Sequence, residues 1–302
     1  MAKKNEKNSN VNHVNSPPTG LQVIFREFMK DKLAMFSLVV LVAVIIGIFF
    51  WAYFMIDQQQ LMRVSLRDKF AAPGDKFLLG ADQGGKDIIG QIVVGAKNSM
   101  LIAISITLIT GIFGILVGLL CGYFGGWIDN MFMRIIDFFI TIPSLMLIIV
   151  FITVVPKYTV GAFILIMSLF LWTSTARLVR SKALSESRRD YVHASKTLGT
   201  NDFVIIVREI LPNLSSIIIV EMTLNFAGNV GIETGLSYLG FGLPLSTPSL
   251  GTLVSNANNP LVLQQYWWVW LPASLFILFM MLGINYVGQA LRRAADSRQR
   301  LG

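Results

Sequence analysis

Leu33–Ile56 reads LAMFSLVVLVAVIIGIFFWAYFMI and holds no charged residue. A helix needs about 20 apolar residues to cross the hydrocarbon core of a bilayer, so this run is long enough to span it. It is too long for the core of a signal peptide, and no small-residue cleavage site follows. It reads as an uncleaved first span, with Trp51 and Tyr53 near one end, where interfacial aromatics sit. The pattern recurs downstream. Asn98–Ile128 is charge-free and holds span two. Met131–Val155 reads as span three, with Arg134 and Asp137 near its start and Pro143 inside. Thr159–Ala176 reads as span four, Asn213 to about Gly240 as span five, and about 267–291 as span six, closed by Arg292 and Arg293.

Composition agrees. Hydrophobic residues make up 54% and charged residues 14%, against about 25% charged in soluble domains. The fold class is therefore an all-α integral membrane protein with six transmembrane helices. The net charge is +8, but the basic residues flank spans and no basic stretch is interleaved with stacking aromatics. That excludes nucleic acid as a partner. Cys121 is the single cysteine, lies in an apolar run, and reads as a small hydrophobe.

Six spans put both termini on one side. With that side inside, inner segments hold 18 of the 25 Lys and Arg, as the positive-inside rule requires. The chain then divides into a tail and amphipathic helix (1–32, with Leu21, Phe25 and Phe28 on one side), span one (33–56), an outer loop (57–97), a core of five spans (98–291) and a short tail (292–302). Residues 1–20 are polar and read as a disordered tail.

Three constellations stand out. Gly114, Gly118 and Gly122 recur every four residues in span two, continued by Gly126, and form a smooth ridge where a neighbouring helix can approach closely. The tail of that ridge, Gly125-Gly126, verges on loop. Glu221, Asn225, Asn229 and Glu233 share the same spacing in span five and make one polar stripe. Carboxylates in hydrocarbon are costly unless they face a partner or a wet path, so the stripe reads as a wall of a translocation path or as a contact with a partner subunit. The inner segment 177–213 mixes charged and apolar residues in helical fashion. Tyr191, Ala194, Ser195 and Leu198 can share a face, Gly199 breaks the helix, and a second amphipathic run, Phe203–Leu211, ends at Pro212. Such an element suits docking on a soluble partner.

Gly80–Asp87 (GADQGGKD) matches the first seven positions of a phosphate-binding loop, but Asp87 stands where a Ser or Thr should hold magnesium. Its expected place outside also removes it from cellular ATP, so it reads as a structured loop. His13 and His193 are far apart, and no metal or catalytic motif appears.

The segment around Gly199 resembles the inner-face signature of ABC importer permeases, E-A-A-x-x-x-G followed by about nine residues and I-x-L-P. Here it reads His193-Ala194-Ser195-x-x-x-Gly199 and then Leu211-Pro212, with His193 in place of the first Glu and Glu209 in place of Ile. Leu79–Asp87 is similar to the L-G-T-D-x-x-G-R-D segment of dipeptide and oligopeptide permeases. Gly122–Asp129, Asp190-Tyr191-Val192-x-Ala194-Ser195, and Leu239-Gly240-Phe241-Gly242 followed by Pro248-Ser249-Leu250-Gly251 also look like that family. The matches run from about residue 25 to 296 and indicate the C-type permease of the peptide/nickel group.

The resemblance implies the type I ABC importer permease fold with a cytoplasmic coupling helix, in a bacterial cell membrane. It implies a B-type permease partner, two ATPase subunits carrying ATP and magnesium, an extracytoplasmic binding protein, and a peptide substrate. This chain would bind no cofactor or metal and catalyse nothing. Asp190, Tyr191, Ala194, Ser195, Gly199, Leu211 and Pro212 would form the coupling element. The alternative within the group is a permease for nickel or another small solute. An ion-coupled secondary transporter would need inverted repeats and broken helices, and a membrane enzyme would need a catalytic constellation.

Overall fold

The computed structural model describes residues 20–155, 159–244 and 247–299. The polar tail expected before residue 20, the side chain of Leu21, the turn at Pro156-Lys157-Tyr158 and the last three residues lie outside the described residues. Among those described there is no strand, only an isolated bridge between Ala81 and Asp87. Five helices are long and apolar enough to cross a membrane, or six if one sharply bent pair counts as a single span. Large apolar side chains cover their outer faces, among them Phe36, Phe50, Leu116, Leu165 and Leu282. A soluble monomer rarely carries so much exposed apolar surface.

Helix α1 (Gly20–Lys30) meets α2 (Lys32–Phe54) at Asp31, whose carboxylate caps α2 by accepting from the Ala34 N–H at 3.1 Å. Of the apolar side expected on α1, Phe28 is buried and Phe25 is exposed. Arg293, near the end of the last helix, closes on Asp31 at 3.1 Å. The described ends of the chain therefore meet at one end of the bundle, called here the terminal end.

Helix α3 (Ile88–Phe124) is 37 residues long, about 55 Å at 1.5 Å per residue. It starts ten residues before the expected span two, because Asp87 caps it by accepting from the Gly90 N–H at 2.8 Å. Lys97, which marks the polar limit in the sequence, is buried within this helix with its ammonium 4.8 Å from the centre of the Tyr53 ring. A cation over an aromatic face is attracted by the ring quadrupole, and this replaces part of the lost hydration.

The most extensive packing in the molecule joins α3 to α6 (Val160–Glu186), and the glycine ridge makes it. A Cβ added at Gly114, Gly118 or Gly122 would lie 2.9, 2.7 and 2.7 Å from the carbonyl oxygens of Trp172, Ala176 and Arg180. Both series advance by four residues in the same direction, so the helices run parallel with their backbones in contact. Gly125, at φ 62, ends α3, and its neighbour Gly126 begins the next helix.

Span three departs from expectation. It is two helices, α4 (Gly126–Thr141) and α5 (Ser144–Val154), bent by 85°. Pro143 is the cause. It pushes Ile142 into extended backbone (ψ 131) and supplies no N–H for the helix to continue. Asp129 and Asp137 of α4 pair with Arg180 and Arg177 of α6, the first through both carboxylate oxygens on one edge of the guanidinium.

Segment 177–213 is less of a loop than expected. Its first ten residues extend α6 to Glu186, α7 (Asp190–Thr197) follows, and α8 begins at Asp202. Pro212 does not end the second run. Helix α8 continues from Asp202 to Tyr238 through a π-turn at Ile206–Ile210. There the Leu211 N–H reaches back five residues to the Ile206 carbonyl, and the widened turn accommodates a proline that lacks its own donor. Short helices α9 (Leu250–Ser255) and α10 (Pro260–Gln265) lead into α11 (Trp267–Gln299), which packs on α8 and α2.

Candidate functional site

At the terminal end, α7 and the start of α8 form a two-faced element. Its inner face holds Val192, Ile205, Ile206 and Ile210, all buried against Leu119, Val179, Ala183 and Leu214. Its outer face presents Leu198 at 86% and Phe203 at 71% exposure, with Tyr191 beside them. Apolar tips on a well-packed base suit docking against another protein. Gly199 has φ +81, with open space where a Cβ would sit, so its conformation rather than crowding calls for glycine. Asn201 then caps α8 by accepting from the Phe203 N–H at 2.8 Å.

Tyr191, Ala194, Ser195 and Leu198 do come to the outward side, although Ser195 is half-buried; Asp190 opens the helix beside them. Leu211 and Pro212 sit a turn and more inside α8. The Tyr191 hydroxyl donates to Glu186 at 2.9 Å and accepts from the Asn213 amide at 3.1 Å. Burial, followed by the Glu186 carboxylate, pushes Tyr191 up to about 12, so the phenol keeps its proton at neutral pH. Sequence reasoning missed Glu209. Its carboxylate accepts from the Ser195 hydroxyl across the Gly199 turn and ties α7 to α8. The signal lay in the paired departures: a serine and a glutamate occupy two positions where the signature has apolar residues.

The polar stripe of α8 divides. Glu233 is fully buried and accepts from Ser99 of α3 at 3.0 Å, Ser249 at 2.9 Å and Ser237 at 3.1 Å. Ser249 also caps α9, so the carboxylate pins that helix to the bundle. Asn229 is buried and donates to Thr107 of α3 at 2.8 Å. These two residues knit helices inside the subunit instead of walling an open space, as polar groups in membranes commonly do. Asn225 donates to Thr175 of α6 at 3.1 Å and remains half-buried. Glu221 faces a cavity of about 980 Å³ at the terminal end, between α6, α7, α8 and α11.

The opposite end holds the phosphate-loop look-alike. Asp82 fills its centre, accepting from the N–H groups of Gly84 (2.7 Å) and Lys86 (3.0 Å) and from the Gln91 amide (3.0 Å). A carboxylate thus occupies the nest of donors that a phosphate would need. Phe70 stacks on Tyr266 at 4.0 Å and anchors this loop to the start of α11.

The profile described as binding-protein-dependent transport system inner membrane component matches residues 114–301. That described as N-terminal TM domain of oligopeptide transport permease C matches residues 19–73. The chain is 49% identical over 277 residues to the oligopeptide transport system permease protein OppC of Lactococcus lactis subsp. lactis, covering 91% of this chain and 94% of the relative. It is 34% identical to the protein of that name from Bacillus subtilis (90% and 88% covered). It is 32% identical to the dipeptide transport system permease protein DppC of Bacillus subtilis (98% and 91% covered). With its helix bundle, this is the type I permease fold of a multi-pass membrane protein. The chain belongs to the binding-protein-dependent inner membrane permeases, among the C-type subunits of the dipeptide/oligopeptide ABC group.

Proposed function

We propose that this chain is one of two permease subunits of an importer that carries oligopeptides or dipeptides into the cytoplasm, driven by ATP hydrolysis on partner subunits. The observation that carries the reading is the two-faced element at Gly199, an outward apolar tip whose base is continuous with α8. The terminal end is then cytoplasmic, which agrees with the excess of Lys and Arg there. Leu198, Phe203 and Tyr191 dock in a groove of an ATPase subunit. ATP and magnesium stay on that partner, and this chain binds neither. ATP-driven closure of the ATPases biases a two-state equilibrium between inward- and outward-facing forms. A B-type permease completes the path, with Glu221 and Asn225 on this subunit's part of its wall. An extracytoplasmic binding protein delivers the peptide at the opposite end. The high identity to relatives named as oligopeptide permeases supports the peptide class.

Uptake of labelled di- to hexapeptides by cells with and without this gene tests the substrate. Loss on deletion, restored by the intact gene, is expected. Unchanged uptake in cells lacking other peptide systems refutes the peptide reading and leaves nickel or another small solute. Coupling is tested by Gly199→Trp, which should insert and assemble normally while ATP hydrolysis no longer drives uptake. Normal uptake by that variant refutes the docking role.

A further inference from the structure

The cavity at the terminal end holds charges of both signs, and no ion pair joins Glu221 to the cations Lys182 and Arg292. Among its carboxylates, Glu186 is committed: Arg189 pairs with it at 3.1 Å and the Tyr191 hydroxyl donates to it. Glu221 receives only a long 3.4 Å bond from Asn225, whose amide also serves Thr175. Lys182 and Arg292 line the same space and have no ion-pair partner among the described residues. The walls between them are apolar, with Leu214, Ile217 and Val220. Glu221 and Lys182 are half-buried, where an unpaired charge is costly, while Arg292 is exposed; the three stand on three helices around one open volume.

We infer that this cavity is a subsite for the charged ends of a peptide, with Glu221 receiving the α-ammonium and Arg292 and Lys182 receiving the α-carboxylate. The inference rests on the peptide-import reading above. A simple anion would satisfy the cations and be repelled by Glu221, and a metal ion would do the reverse. A zwitterion satisfies both. The cavity, about 980 Å³, lies at the upper end of the range of about 300–1,000 Å³ typical of small-molecule sites. That volume admits a short peptide.

The test uses the assembled permease–ATPase complex in nanodiscs, without the binding protein, carrying a photo-reactive benzoylphenylalanine at Ser216 on the cavity wall. The probes are one radiolabelled tetrapeptide with free ends, its N-acetylated form and its C-amidated form. The free peptide should crosslink, and each blocked form should crosslink about tenfold less, the loss expected for one charge-assisted bond. Glu221→Gln should erase the difference between free and acetylated peptide while keeping the amide difference. Arg292→Gln combined with Lys182→Gln should do the opposite. A fold defect would not produce this crossed pattern, and the wild-type comparison stands without the variants. Crosslinking indifferent to both ends overturns the inference, as does capture of an ethanolamine phospholipid that peptide does not displace. If cells import peptide normally while the complex shows no end-dependent crosslink, the subsite falls and the import reading stands. If import itself is absent, both fall.

Discussion

Replacing Gly118 by alanine puts one methyl group into the most extensive helix contact. Its carbon would lie 2.7 Å from the Ala176 carbonyl oxygen, 2.7 Å from the Val179 Cβ and 2.9 Å from the Arg180 nitrogen. Favourable contacts begin near about 3.5 Å, so α3 and α6 must separate by somewhat under about 1 Å. Two of the three obstructing atoms are backbone, and no side-chain rotation relieves them. Overpacking of this kind costs about 1–3 kcal/mol. In a membrane, lipid gives nothing back for the lost contact, because helix association there depends on close packing. Gly114 and Gly122 meet the same helix at 2.8 and 2.6 Å. Once one substitution has opened the seam, a second should cost less than it does alone. Gly47→Ala is the control, since nothing lies within 4 Å of its added carbon. Denaturant unfolding of the purified chain in mixed micelles should place Gly118→Ala below wild type by that amount, with Gly47→Ala unchanged. A Gly118→Ala stability within about 0.5 kcal/mol of the control, or strictly additive losses along the ridge, refutes the backbone-contact argument.

Asp129→Ala strips Arg180 of a bidentate partner at a half-buried site. It should cost about 1–3 kcal/mol in the same unfolding assay, and the swap Asp129→Arg with Arg180→Asp should recover part of it. Glu233→Ala removes the common acceptor of Ser99, Ser237 and Ser249. A loss of at least about 2 kcal/mol is expected, with faster proteolysis near α9, while Glu233→Gln should lose less. Pro143→Ala restores a helical donor. Spin labels at Trp127→Cys and Val154→Cys should read about 30 Å with proline, as the 85° bend requires, and move towards about 40 Å without it. A reading near 40 Å in the proline form would contradict the bend.

Long apolar runs made most of the bundle legible, because a bilayer demands uninterrupted hydrophobicity and α2 supplies it. The glycine ridge was legible for a similar reason, since only a close neighbour justifies a glycine every fourth residue. What stayed hidden depended on partners distant in sequence. Lys97 looks like the end of a span until the Tyr53 ring is placed over it. Pro143 and Pro212 look alike as helix breakers. The first bends its span by 85°, while the second is absorbed by a π-turn, and the difference lies in the backbone before each. The stripe on α8 showed its spacing, but not that three hydroxyls from different segments close over Glu233. The cavity was invisible, because Lys182, Glu221 and Arg292 come from three separate helices.

The uninterrupted course of α8 has a mechanical consequence. From Asp202 to Tyr238 it runs 37 residues, about 55 Å. One end is clamped to α7 through Ser195 and Glu209, the other to the cap of α9 through Glu233 and Ser249. A long helix tied to its neighbours at both ends would carry a displacement of one end to the other. Pivoting about its middle by about 10° would carry its tips about 5 Å in opposite directions. Opening at one mouth and narrowing at the other would then be a single motion, with its gear ratio set by where Asn225, Asn229 and their partners place the fulcrum.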